Sequence, residues 1–433
     1  MKNFTKTLTA IIVSLATCIA ISGCAHPEAS KSNYTIKGDV NDISFYSPSP
    51  TTESYPKLHD TKVKNIIFCI GDGMGLGQIA LARMKATGPG GTLYMERMPI
   101  TGFIRTHSAD VLVTDSAAAG TALASGVKTN NGIIGIKPDG ASCQTILEAA
   151  CAKGMATGLV VTSRITDATP AVFASHVTSR KMQDKIAEQL IANKVNVLFG
   201  GGKEYFLPRS DSRSKRTDQN NLIERAKKAG YLYIRNAEEL KIANYPYILG
   251  LFQLGPLTTV EPEPSLAELA IKAIDILDRK GGDYGFFLMV EGSQIDWACH
   301  DNDTDATARQ TLLFDQAVKA AIDFALKDKH TLVVITADHE TGGLTITGGD
   351  LKGNRLDVNW STGGHSAMPV PIYAFGPKAD IFAGTYDNTE VPRKFAKLLG
   401  INPFPKVISD EDKQVKGDAE NRRNLRVENK AGR

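Results

Sequence analysis

The strongest constraint on how this chain can fold is an alternation. Short apolar runs at residues 63–70, 155–162, 195–199, 284–290, 331–336 and 370–375 are separated by stretches with apolar residues at helical spacing, among them 181–192, 266–277 and 306–325. Runs of that length predict buried strands, and the stretches between them predict amphipathic helices. Strand and helix in alternation imply an α/β fold: a largely parallel central sheet with helices on both faces. Ligands bind such sheets beyond the carboxyl ends of the strands, so the residues just after each run carry the most information.

Those residues are chemically rich. The first run is followed by Gly71-Asp72-Gly73-Met74-Gly75-Leu76-Gly77, the second by Asp167 and Thr169, and the fourth by Glu291, Asp296 and His300. The fifth leads into Asp338-His339-Glu340-Thr341-Gly342-Gly343, and Thr362-Gly363-Gly364-His365 precedes the sixth. The glycines after Ile70 are wrongly spaced for a dinucleotide loop, and Asp72 would face a pyrophosphate directly. Taken singly, each acidic residue reads as a turn or cap residue, and Asp296 with His300 fits a salt bridge as well as a ligand pair. Taken together, carboxylates crowded on one rim repel unless cations lie among them. Mixed His/Asp sets suit Zn²⁺, and oxygen sets with Glu and Thr suit Mg²⁺, so the rim reads as a multi-metal site. The run Asp301-Asn302-Asp303-Thr304-Asp305 is no EF-hand, because Ala306 and Leu312 stand where Gly and Glu are needed.

Ser116, in Val113-Thr114-Asp115-Ser116-Ala117-Ala118, heads an Ala/Gly-rich helix that Gly126 would end. Alone it reads as an N-cap. Beside a metal rim it is a nucleophile candidate, since a helix N-terminus favours phosphate and a metal can activate a hydroxyl without a histidine base. No G-x-S-x-G elbow is present, against a serine esterase. Arg180 could offer a fork to two phosphate oxygens.

The N-terminus predicts export. Two lysines precede a mostly apolar run of about 14 residues, short of the roughly 20 a membrane span needs. Ser22-Gly23-Cys24 resembles a lipobox, which makes residues 1–23 a lipoprotein signal and Cys24 the lipidated N-terminus, with a plain secretory signal as the alternative. Residues 24–62 read as a tether, 63–405 as the catalytic body, and 406–433 as a charged, disordered tail. The expected location is a membrane anchor facing the periplasm or the cell surface. Six cysteines in 433 residues make no disulfide scaffold, and spacing leaves open whether Cys143 and Cys151 pair. Cys69, inside the first run, reads as a buried inert thiol. With 50 basic and 47 acidic residues the net charge is +3, too small for sequence-independent nucleic-acid binding.

The motifs around Asp72, Ser116, Asp167, Gly200-Gly201-Gly202, Glu291, Asp296, Asp338 and His365 occur in the order found in the bacterial alkaline phosphatase family, which the chain resembles over about residues 63–376. The resemblance implies metal-dependent hydrolysis of phosphate monoesters through a phosphoseryl intermediate on Ser116. It implies two Zn²⁺ and one Mg²⁺. One zinc would be held by Asp296, His300 and His365, and the other by Asp72, Asp338 and His339 with Ser116. The magnesium would be held by Asp72, Thr169 and Glu291, with Asp167 acting through water. Arg180, steadied by Asp115, would bind phosphate, and Trp297 would stand beside it where some relatives carry Lys or His. Only 25 residues lie between His339 and His365, too few for a large insert, and a homodimer is left open. A phosphodiesterase on the same scaffold and a non-catalytic metal- or phosphate-binding lipoprotein are the rival readings; a sulfatase lacks its C-x-P-x-R motif.

Overall fold

A computed structural model describes residues 39–58 and 61–409. Its centre is a ten-stranded sheet. The strands are β1 (Asn65–Gly71), β2 (Ile100–Arg105), β3 (Ala156–Arg164), β4 (Val197–Gly201), β5 (Leu232–Ile234), β6 (Ile248–Leu251), β7 (Phe286–Gly292) and β8 (Thr331–Thr336), with Val370–Phe375 and Gly384–Asp387 completing it. From β8 through β1, β7, β3, β4 and β6 to β5 every pairing is parallel. Val370–Phe375 runs antiparallel to both β8 and β2. β1 therefore lies in the middle of the sheet, between β8 and β7, and the chain leaves it at Asp72 in the centre of the rim.

Adjacent residues of one strand show why the strands read as continuous apolar runs. Phe286 packs on Phe324 of the helix Thr304–Asp328, whereas Phe287 meets Phe173 and Phe395 from two other helices. Consecutive side chains point to opposite faces, so both faces of β7 are covered. One layer holds α1 (Leu76–Thr87), Leu266–Gly281 and Thr304–Asp328. The other holds α2 (Ser116–Ser125), α3 (Ile146–Ala152), α4 (Ala168–Ala174) and Glu390–Leu399. Asp303, from the run that mimics an EF-hand, caps Thr304–Asp328 by accepting from Ala306 N at 2.9 Å.

One expectation changes, one open question closes and one expectation holds. The stretch read as a tether is docked over its described part: Tyr46 and Tyr55 are buried, Tyr46 donates to Asp315 Oδ2 at 2.6 Å, and Arg97 Nε donates to Glu53 O at 2.8 Å. Two aromatic rings gain more by burial than a free linker would in water. Cys143 and Cys151 are not bridged to each other; Cys151 lies within α3, and Cys143 is buried in a bridge to Val407. Cys69 is fully buried, which pushes its thiol up to about 12. Residues 1–38 and 410–433, including Cys24 and nearly all of the charged tail, lie outside the described residues.

Candidate active site

Ser116 is not the cap of its helix. Asp115 takes that place, its Oδ1 accepting from Ala118 N at 2.9 Å, and Ser116 becomes the first helical residue with Oγ left for other partners. Asp115 Oδ2 accepts from Gly132 N at 3.0 Å and from Arg180 Nη1 at 3.1 Å, so one carboxylate fixes both the helix that Ser116 begins and the arginine. Gly126 ends α2 at φ 72°, the left-handed conformation that glycine adopts without strain.

Around Ser116 Oγ the ligating groups converge. His339 Nε2 lies 3.3 Å from it, 3.2 Å from Asp338 Oδ2 and 3.6 Å from Asp72 Oδ1. Thr341 Oγ1 donates to Asp296 Oδ1 and so accepts from His339 Nδ1, 3.2 Å away. That leaves Nε2 of His339 as a bare lone pair facing carboxylate oxygens. Asp72 Oδ1 and Asp338 Oδ2 are buried without a hydrogen-bond partner. Lone pairs turned on one another in a dry site are unfavourable unless a cation lies between them.

The second cluster repeats the pattern. His300 Nδ1 faces Gly363 O at 2.7 Å and His365 Nδ1 faces Thr114 O at 2.8 Å, so both Nδ1 atoms carry the proton. Their Nε2 atoms lie 3.2 Å apart, with Asp296 Oδ2 3.3 Å from that of His300 and Asp296 Oδ1 3.5 Å from that of His365. Ligand atoms of Asp296, His300 and His365 lie within 4.8 Å of one another, as do those of Asp72, Asp296 and His339. The donors fit metal ions.

A third group lies beside Asp72. Glu291, last but one in β7, is buried and hydrogen-bonded by Thr169 of α4 and by Ser163 Oγ at 3.4 Å. Asp167 sits at the N-cap of α4 without capping it. Gly73, at φ 72°, closes the turn after Asp72; a Cβ there would meet the Cα of Asp296 at 2.9 Å.

The electrostatics show the same crowding. Burial, with the charges of Asp338, Asp296 and Glu291, holds the Asp72 carboxyl well above its ordinary range. Burial and the Asp296 charge push Asp338 up to about 7, and burial pushes Glu291 up to about 8 against hydrogen bonds from Ser293 and Thr169. Asp296 goes the other way: burial opposes ionisation, but the hydrogen bond and charge of His300, with His365 and His339, hold it well below the usual range.

The structure thus brings together Asp72, Ser116, Asp296, His300, Asp338, His339 and His365, with Thr169, Glu291 and Asp167 alongside and Asp115 and Arg180 at the mouth. Trp297 follows Asp296 on the helix Gln294–His300 and is half-buried. Sequence reading missed Thr341, and also Glu340, which hydrogen-bonds Ser366 and Gln78 Nε2. Both lie inside a motif already singled out, but their partners come from distant segments.

A parallel sheet whose rim gathers ligating carboxylates and imidazoles around a serine at a helix N-terminus defines a metal-binding hydrolase. The alkaline phosphatase family model matches residues 63–356 and 352–401. Alkaline phosphatase 3 of Bacillus subtilis is 36% identical, over 82% of this chain and 93% of its own length. The alkaline phosphatase of the Antarctic bacterium TAB5 superposes with a TM-score of 0.72 at 34% identity, over 79% of this chain and all of its own. A His-to-Asp variant of the same enzyme, solved with Mg in its M3 site, gives 0.71 at 33%, with the same coverage. The chain belongs to the alkaline phosphatase family. It is an enzyme, and its reaction is the hydrolysis of phosphate monoesters.

Proposed function

We propose that the reaction runs as two in-line displacements through Ser116. The observation that carries this reading is the placement of Ser116 Oγ, uncommitted to capping and 3.3 Å from an unprotonated His339 Nε2. The residue sets suit one zinc at Asp296, His300 and His365 and a second at Asp72, Asp338 and His339 beside Ser116. The oxygen set of Asp72, Thr169 and Glu291, with Asp167 through water, suits magnesium. When bound, these ions supply Lewis acidity, lowering the pKa of the serine hydroxyl and of water and offsetting charge on the phosphoryl oxygens.

The chain's own groups do the rest. Arg180, its Nη1 held by Asp115, directs its remaining N–H groups at two phosphoryl oxygens, and the positive end of α2 faces the same charge. Ser116 Oγ loses its proton to solvent and bonds to phosphorus as the alcohol oxygen leaves with its electron pair and takes up a proton from water. Water then bonds to phosphorus on the opposite face, the Ser116 O–P bond breaks, and the serine regains a proton. Grip falls on the phosphoryl group and not on the alcohol, so broad monoester turnover follows. Trp297, the residue after Asp296, would bring no cation to the phosphate, so product would be held less tightly than a lysine there would hold it.

Export and lipidation at Cys24 would place this site outside the cytoplasm, on a membrane. Among the described residues no helix is long and apolar enough to cross one.

The deciding experiment is phosphate trapping on the zinc- and magnesium-loaded enzyme. Ser116→Ala should abolish the trapped phosphoenzyme and lower kcat by roughly a thousandfold or more, some hydrolysis by direct attack of water remaining. Phosphate recovered on a peptide without Ser116 would overturn the assignment.

A further inference from the structure

The glycine run at the end of β4 has no part in the chemistry above, yet it serves a second ion pair on the same rim. β3 ends at Arg164, which pairs across the sheet with Gly201. A Cβ on Gly202, at φ 90°, would lie 2.8 Å from Arg164 Cβ, so only glycine lets the chain pass the arginine stem there. Two residues on, Glu204 accepts from Arg164 Nε at 2.7 Å. Both side chains are nearly buried, at 12% and 9% exposed. From this locked position Arg164 addresses Asp167. Its backbone N–H donates to Asp167 Oδ2 at 3.1 Å, and its Nη1 lies 3.7 Å from the same oxygen. The other oxygen, Oδ1, accepts from Gln183 Nε2 at 3.4 Å, and Thr166 holds that amide by donating to its oxygen at 2.7 Å. Both oxygens of Asp167 are therefore engaged by protein donors, unlike Asp72 and Asp338, each of which keeps an orphan oxygen.

We propose that Arg164, fixed by Glu204, is a positioning residue that governs the third cation site. It turns the Asp167 carboxylate back onto its own loop and draws on part of its charge, so Asp167 serves the cation through an intervening water and the site binds magnesium weakly enough to exchange it. The proposal rests on the reading of Asp72, Thr169 and Glu291 as that site.

The two members of the pair have opposite consequences, which an ordinary scaffolding role would not produce. Arg164→Met removes a cation and returns the full charge of Asp167 to the site, so magnesium should bind roughly tenfold tighter. Glu204→Gln keeps an oxygen for Arg164 Nε but removes the compensating charge, so Arg164 draws more on Asp167 and magnesium should bind roughly tenfold weaker. Because Arg164→Met leaves Glu204 buried and unpaired, the double variant Arg164→Met/Glu204→Gln is measured beside it and should also bind tighter than the parent.

The measurement is isothermal titration of Mg²⁺ into zinc-loaded enzyme, with magnesium content after dialysis as a second readout. Opposite shifts in the single variants, with the double variant tighter than the parent, bear the proposal out. Shifts of the same sign, or dissociation constants within twofold of the parent, overturn it and leave the three-metal reading standing. A parent enzyme that binds no magnesium overturns both.

Discussion

Ser116 is left available as the proposed nucleophile because of its neighbour. Had Ser116 capped α2 itself, Oγ would be spent on a backbone N–H; Asp115 takes that bond instead and holds Arg180 with its other oxygen. A similar economy operates at Thr341, whose single hydroxyl donates to Asp296 and accepts from His339, linking the two candidate zinc sets. Thr341→Val keeps the shape and removes both bonds. Zinc affinity should fall by roughly 10–100-fold, read by competition with a chromogenic chelator, while the far-ultraviolet spectrum stays unchanged; unaltered affinity would show that the hydroxyl is idle. Most of the candidate ligands were legible in the sequence because they follow an apolar run, so strand reading alone delivered Asp72, Asp167, Glu291 and Asp338 to one rim, whereas His365 precedes its run. The orienting groups were not. Gly363 O, Thr114 O and the Thr341 hydroxyl fix histidine protons only after segments far apart in the chain have met, and no local pattern encodes that meeting.

Element by element, the strands that could be read are those buried on both faces. β1, β3, β4, β7 and β8 begin within two residues of the expected runs and, with the exception of Thr331–Thr336, end one or two residues later. β2, Ile-Thr-Gly-Phe-Ile-Arg, is half exposed and carries a glycine whose Cβ would strike Gly384 O at 2.5 Å; β5 has only three residues. Neither offers a run long enough to stand out. The docked N-terminal strap was also illegible, because its Ser, Pro and Thr content masks two anchoring tyrosines. Its latch can be tested by pH. Asp315 is buried beneath Tyr46 and accepts from Tyr46 Oη, Tyr94 N and Met95 N; burial nonetheless pushes its carboxyl up to about 6, with the Glu96 charge adding. The folded state thus keeps a proton that the unfolded chain, titrating near 4, has already released. Between about pH 4 and pH 6 stability from this group falls as pH rises, by on the order of 2–3 kcal/mol, and is flat above. Asp315→Asn should remove that slope while lowering absolute stability, since its amide meets a backbone donor. Urea unfolding from pH 4 to 7 checks this; an unchanged slope would place the titration elsewhere.

For the whole molecule, two questions remain: where the chain sits and what holds its rim together. On the first, Cys24→Ser should move the protein from the membrane fraction to the soluble one or arrest its processing. A variant that fractionates and migrates like the parent would make residues 1–23 a plain secretory signal. On the second, the rim carboxylates define how metal and stability are linked. Without metal, Asp338 titrates near 7 and Glu291 near 8, so the folded state holds protons there that the unfolded chain, with its ordinary carboxylates near 4, has lost. The contribution of these two groups to metal-free stability therefore falls as pH rises from about 4 and levels only above about 8, once both are ionised in either state. Bound cations replace those protons and the penalty with them, while binding to the folded state alone adds stability. The gap in Tm between metal-loaded and chelator-stripped enzyme should therefore widen from pH 5 to about pH 8. Thermal scans at matched ionic strength test this. Parallel curves for the two forms would mean that the crowding of Asp72, Glu291 and Asp338 is relieved by something other than a cation. A widening gap instead explains why a rim so hostile to its own charges can persist in a folded protein: ions hold it together most firmly at the alkaline pH where those charges are complete.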